Sequence, residues 1–161
     1  MQLFIKNKFI SLRGSSKVLD AQDNPAYNVQ GKFWTITRKK FVQDLNGNTL
    51  YVVRNKFWHI FLKSAFVYDA NGEKVAQIKR KIALKSKFSV RGYKDELRID
   101  GTFIGWTFQI YKNEKLLGTI KRLLDFRDSF VLDIEDGEDA AFFVALVIAM
   151  DNIIDAERAD N

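Results

Sequence analysis

The sequence predicts a mainly β fold in which a closed antiparallel barrel of about twelve strands encloses a hydrophobic C-terminal α-helix. Three observations lead to this prediction: an unbroken apolar run at 140–150, a repeated turn-and-strand unit, and more short alternating strands than a flat sheet accommodates. The length of 161 residues suits one domain, so residues 1–161 are expected to form a single barrel.

The apolar run at 140–150 predicts the central helix. Its eleven residues span only about half of a bilayer core, so it predicts no transmembrane segment. A helix that is apolar in every direction must be surrounded, and the strands before it are the available cover. The acidic segment 136–139 supplies candidate N-caps. Asp151 follows the run and is expected to be buried, more plausibly in a structural pair with Arg or Lys at the barrel mouth than in a site.

An internal repeat predicts the β-meander. Residues 20–36 align without gaps to residues 44–60 with 8 of 17 positions identical, and the unit recurs more loosely from Asp69 to Lys81. The Asn46-Gly47 and Asn71-Gly72 dipeptides predict two-residue hairpins in which both central residues adopt positive φ. Alternation continues downstream, with Leu97 and Ile99 predicted to face the core. Closing such a sheet around the helix removes its edges.

Three segments together resemble the LURP-one-related family: the opening 4–9, the repeated units, and the closing 140–151. The resemblance spans essentially the full chain and implies the tubby C-terminal fold, a barrel of about twelve strands around a central helix that is also proposed for phospholipid scramblases. Tubby proteins bind phosphoinositide head groups through basic side chains on the barrel surface. The resemblance identifies no individual lipid-binding residue in this chain.

Charge is unevenly distributed along the chain. Residues 1–94 hold 19 Lys/Arg and 5 Asp/Glu, whereas residues 95–161 hold 7 and 15. One interpretation is that basic and acidic strands meet as neighbours, and the other is that a basic face stays free for an anionic partner. The segment 74–94 contains eight Lys/Arg and no acid. Strand alternation places Lys79 and Lys81 outward together, and the sequence therefore predicts an anionic-ligand-binding set. Its members are Lys79, Lys81, Lys85, Lys87 and Arg91. The alternative is an ordinary solvated barrel face.

The sequence predicts no enzyme and no cofactor. It contains no cysteine, its single histidine, His59, occupies a repeat position that suggests a strand surface, and no phosphate-cradling loop is present. The acidic cluster at 133–139 offers a Ca²⁺ alternative, although helix capping explains much of it. The predicted function is a non-enzymatic binding or scaffold module of unassigned task, and its leading candidate ligands are anionic lipid head groups or other phosphorylated ligands on a basic barrel face. A small-molecule carrier or enzyme with a site in the lumen or on the surface ranks second, and nucleic-acid binding third. The N-terminus lacks the apolar core of a signal peptide, so the predicted location is cytoplasmic, peripheral to a membrane if lipid is bound.

Overall fold

The computed structural model describes residues 1–6, 15–31, 39–55, 64–81, 86–92, 96–102, 106–123 and 129–158, and the side chains of 15, 81, 86, 102 and 156–158 lie outside this description. The described residues form twelve strands and one helix: β1 (Gln2–Lys6), β2 (Ser15–Asp20), β3 (Pro25–Gly31), β4 (Lys40–Gln43), β5 (Thr49–Asn55), β6 (Ser64–Asp69), β7 (Lys74–Lys81), β8 (Ser86–Arg91), β9 (Leu97–Thr102), β10 (Thr107–Lys112), β11 (Lys115–Leu123), β12 (Ser129–Ile134) and α1 (Ala140–Arg158).

The strands close into an antiparallel barrel. Each strand pairs with its neighbours in the chain, and the circle closes where β1 pairs with both β2 and β12. Leu3 lies at this seam, opposite Asp20 on one side and Leu132 on the other. Closure leaves no free sheet edge among these strands, as the sequence predicted from their number. Parts of the predicted strands at 34–43 and 58–68 lie outside the described residues.

The helix α1 fills the barrel. Every residue from Phe143 to Met150 has 0% of its surface exposed, so the helix is enclosed on all sides. Strand residues that alternate inward, such as Val53 and Ile78, complete this core. Helix α1 lies closest to β5 and β6. The predicted threaded helix is therefore confirmed, and so is the burial of Asp151, which is 3% exposed.

The meander gives the barrel two chemically different ends. We call one the hairpin end, which carries the turns at 21–24, 44–48, 70–73 and 113–114 and the loop 135–139 that leads into α1. The opposite, distal end is where β1, β5, β7 and β11 finish and where α1 ends. Because successive strands run in opposite directions, a residue's position within its strand decides which end it lies nearer.

The repeated turns share one hydrogen-bond pattern, which corrects the predicted turn type. In the second copy the amide of Asp44 donates to the carbonyl of Asn48 at 3.0 Å, and the Asn48 amide donates back to the Asp44 carboxylate at 2.8 Å. The first and third copies, closed by Asp20 and Asp69, repeat both bonds. Three residues therefore separate the closing pair, and among those of the second copy only Gly47 has positive φ. The prediction of two-residue hairpins was wrong because the Asp side chain closes a wider loop.

Asp139 caps the helix and anchors the loop before it. Its carboxylate accepts the amide of Phe142 at 3.0 Å, as an N-cap does, and also accepts the hydroxyl of Tyr51 at 2.6 Å. Tyr27, which occupies the repeat position equivalent to Tyr51, also senses this carboxylate: burial, and secondarily the charge of Asp139, raise the pKa of its phenol. Equivalent tyrosines of two repeats thus converge on the start of the helix.

Candidate anion-binding face

Strand β7 presents Lys79 to the outside of the barrel. Ala76 and Ile78 are buried, with 1% and 0% of their surface exposed. The alternate residues Gln77 and Lys79 are partly exposed. This alternation is the one predicted from the sequence. Arg80 shares the inner parity of Ile78, and burial lowers the pKa of its guanidinium. The outward direction of Lys79 is therefore confirmed, and the backbone of Lys81 occupies the next outward position.

Strand β8 adds two exposed cations to the same face. Lys87 and Arg91 are exposed, and Phe88 between them is buried at 0%. The register places Lys81 opposite Lys87 and Gln77 opposite Arg91. Lys79, Lys81 and Lys87 thus come together near the distal end. Arg91 lies four residues from Lys87 along β8, roughly 13 Å away, toward the hairpin end.

The structure brings together most of the predicted set. Lys85, the remaining member, falls outside the described residues. We call the outer surface of β7 and β8 that carries Lys79, Lys87 and Arg91 the β7–β8 face.

Carboxylates neutralise little of the β7–β8 face. Among the described side chains, no carboxylate forms an ion pair with Lys79, Lys87 or Arg91. Asp100 on β9 is the cross-strand neighbour of Lys87, but its carboxylate pairs with the guanidinium of Arg98.

Aromatic side chains border this face on β6, a feature that sequence reasoning missed. The ammonium of Lys74 lies 5.7 Å from the ring centre of Phe66, and the guanidinium of Arg54 lies 4.8 Å from that of Tyr68. Both rings are only partly buried. The Phe66-x-Tyr68 alternation next to the basic segment was the available signal, because residues two apart on a strand share a face. These cation–π contacts hold the charges of Arg54 and Lys74 against the rings of β6, and Lys74 lies at the hairpin end of β7, outside the β7–β8 face.

The acidic residues before α1 serve structure at the hairpin end. The N-terminal amino group lies 2.8 Å from the carboxylate of Asp136, and this hydrogen bond, with the charge of the amino group, lowers the pKa of Asp136. Lys112 pairs with Glu138 at 2.7 Å, and Asp139 is the helix cap. Within the described part of the chain, no group of three or more acidic or histidine side chains is arranged to hold a metal ion.

The lumen that a small-molecule carrier would need is occupied. Inward side chains of the strands and the side chains of α1 pack against one another in one continuous cluster. No helix within the described ranges is both long enough and apolar enough to cross a membrane. His59, the one histidine, lies outside the described residues.

The comparisons with known proteins agree with the architecture. A family model described as LURP-one-related matches residues 1–151. The chain belongs to the LURP-one-related family. This membership confirms the resemblance seen in the sequence.

Individual relatives support the same assignment. The chain is 25% identical over 156 residues to the uncharacterized protein YxjI of Bacillus subtilis (strain 168). This alignment covers 96% of this chain and 94% of that protein. It also resembles the X-ray structure of a protein from Arabidopsis thaliana, with a TM-score of 0.63, 17% identity, and coverage of 94% of this chain and 90% of the other. At that identity the structural likeness shows a shared fold and nothing about a shared task.

Proposed function

We propose that this LURP-one-related chain is a non-enzymatic binding module whose β7–β8 face engages anionic phospholipid head groups or other phosphorylated ligands. One observation carries the proposal: Lys79 and Lys87 project outward from adjacent strands and form no ion pair with a described carboxylate. The module acts in the cytoplasm and associates with the membrane surface from outside the bilayer. The family's tubby-like fold supports this proposal by analogy only.

The filled interior favours a surface interaction over a lumen reaction. Phe88 and Ile78, which lie beneath the basic side chains, are both 0% exposed, so the face is a rigid layer on a packed core. Lysines on such a layer hold their spacing while their long side chains adapt to head groups of different shape. Each cation near an anionic surface contributes about 1 kcal/mol of attraction.

Vesicle sedimentation tests the proposal directly. Vesicles of phosphatidylcholine with phosphatidylserine are expected to bind the protein, salt is expected to weaken binding, and vesicles of phosphatidylcholine alone are not expected to bind. The variant Lys79→Glu/Lys87→Glu removes about 2 kcal/mol of attraction and adds a similar repulsion, so it should not sediment. The matched control, Lys74→Glu/Lys115→Glu, makes the same charge change at the hairpin end.

Two results would count against the proposal. One is equal sedimentation of the Lys79→Glu/Lys87→Glu variant and the unaltered protein. The other is failure of the unaltered protein to bind anionic vesicles at low salt, provided that a free phosphorylated compound such as inositol hexakisphosphate also fails to bind. Circular dichroism of each variant establishes that the barrel is intact.

A further inference from the structure

Charged residues are segregated along the barrel axis. Each described residue can be assigned to the barrel end that it lies nearer, from its place in its strand, turn or helix. The hairpin half then holds five Lys/Arg and twelve Asp/Glu, a difference of −7, and the distal half holds twelve Lys/Arg and four Asp/Glu, a difference of +8. The charge of the described residues is therefore polarised along the barrel axis, with the positive end where α1 finishes.

Ion pairing differs between the two halves. The hairpin half neutralises most of its cations in three places: Lys112 with Glu138 at 2.7 Å, Lys115 with Glu135 at 3.1 Å, and Arg98 with Glu114 at 3.0 Å. In the distal half the exposed lysines Lys6, Lys17, Lys87 and Lys121 have no ion pair with any carboxylate that the structure describes. These four lysine charges thus face solvent without a carboxylate partner among the described residues.

The distal lysines surround the barrel. In the closed strand order, β7 lies six strands from β1 in either direction, and β8 lies six strands from β2. Lys79 and Lys87 therefore stand across the barrel from Lys6 and Lys17, with Lys121 of β11 between the two groups on one side. Twelve strands about 4.8 Å apart, tilted as in known barrels, give a diameter of roughly 20–25 Å. No single phosphate group spans that distance, whereas a flat anionic surface meets the whole ring at once.

We propose that the distal end of the barrel docks end-on against an anionic lipid bilayer, with the acidic hairpin end pointing away from it. This inference rests on the proposed function and deepens it by naming the bilayer surface as the partner and by fixing the orientation. Screening makes the orientation effective. The Debye length at physiological salt is about 8 Å, and strands of six residues hold the acidic turns roughly 15–20 Å from the membrane. The surface therefore attracts the distal lysines and barely repels the hairpin end.

Charge removal on the far side of the barrel separates end-on from side-on docking. Lys6→Gln/Lys17→Gln leaves the β7–β8 face untouched. Each lysine near the surface changes partitioning about fivefold, so this variant should bind vesicles of phosphatidylcholine and phosphatidylserine about 25-fold more weakly. The matched control Lys74→Gln/Lys115→Gln, at the hairpin end, should change partitioning by less than about twofold.

A second measurement reports the orientation itself. The chain contains no cysteine, so one introduced cysteine carries one environment-sensitive dye. Gln30→Cys places the dye on an exposed strand position near the distal end, and Asn46→Cys places it at the tip of a hairpin. Adding the anionic vesicles should shift the emission of the dye at position 30 to the blue and leave the dye at position 46 unchanged.

The outcomes separate the two proposals. Full-strength binding of Lys6→Gln/Lys17→Gln, or an equal shift of both dyes, would overturn end-on docking; if Lys79→Glu/Lys87→Glu were still impaired, the proposed function would stand with side-on contact. Absence of any vesicle binding by the unaltered protein would overturn end-on docking, and the inositol hexakisphosphate measurement would then decide the proposed function by itself.

Discussion

The enclosure of α1 predicts that core substitutions on opposite sides of the helix destabilise the protein alike. Leu146 and Ile148 are both 0% exposed and lie about 160° apart around the helix axis, given about 100° per residue. Leu146→Ala and Ile148→Ala each remove three carbon atoms from a closed space into which the surrounding strands cannot collapse. Each should lower the free energy of unfolding by about 2–5 kcal/mol, the usual range for such truncations in packed cores.

A small buried residue of the same helix, Ala145, supplies the complementary test. Ala145 is also 0% exposed, and on the helical wheel it points between these two directions. Ala145→Leu should therefore destabilise by overpacking, by about 1–3 kcal/mol or more. Urea unfolding followed by circular dichroism measures all three variants, with Leu45→Ala on the exposed β4–β5 turn as the control expected to change little. A cost below about 1 kcal/mol for Leu146→Ala or Ile148→Ala would mean that one side of the helix is not enclosed, and the reasoning would fail.

Three further predictions concern the turns, a close strand contact and the helix cap. A Cβ at Gly118 would lie 2.2 Å from a carbonyl oxygen of β12, so Gly118→Ala should lower the free energy of unfolding by about 3 kcal/mol or more. Urea unfolding measures this change, and a loss below about 1 kcal/mol would mean that there is no clash. Asp23 has φ of 62°, so Asp23→Gly should raise the unfolding free energy slightly, by up to about 1 kcal/mol; a lower melting temperature would contradict this. Asp139→Ala should lower the free energy of unfolding by about 1–2 kcal/mol because the N-cap is lost. Asp139→Asn should lower it less, because asparagine can still cap the helix.

Acid should weaken the repeated turns. The pKa of Asp44 is lowered mainly by the hydrogen bond from the side chain of Asn48. The pKa of Asp20 is lowered mainly by the hydrogen bond from the backbone amide of Asn24. A carboxylate whose pKa is lowered by folding binds its proton more weakly in the folded state than in the unfolded state. Its contribution to stability is therefore fully present above its unfolded-state pKa, near 4, and is lost as the pH falls through its folded-state pKa. Urea titrations across this acidic range should show a smaller dependence on pH for Asp44→Asn. An unchanged dependence would argue against the role assigned to these bonds.

The barrel and its helix could be predicted because both depend on patterns that are local in the sequence. The run at 140–150 has no polar interruption, and residues such as Leu97 and Ile99 alternate with charged neighbours. The turn type could not be predicted from Asn46-Gly47, because a carboxylate three residues before Gly47 closes the loop through its side chain. A dipeptide rule does not contain that bond.

The outward direction of Lys79 could be predicted from the sequence, but the residues that surround the predicted anionic-ligand-binding set could not. Alternation along β7 was enough to orient Lys79, whereas the proximity of Phe66 to Lys74 depends on strand register. Counting charge by sequence halves suggested that basic and acidic strands meet, as they do where Lys87 faces Asp100. The stronger separation runs along the barrel axis, and it appears only when alternate connections of the meander are assigned to opposite ends.

The position of α1 after all twelve strands has a consequence for how the chain acquires its structure during synthesis. Until the ribosome releases the residues around Phe143 and Leu146, the inward side chains of the strands lack the helix against which they pack in the finished barrel, and we expect the seam between β1 and β12 to close only afterwards. The nascent meander must stay unassembled or be shielded by a chaperone while it waits, since exposed apolar strands aggregate. Completion then joins distant parts of the chain in one late step, which predicts slow, cooperative folding from a denatured state.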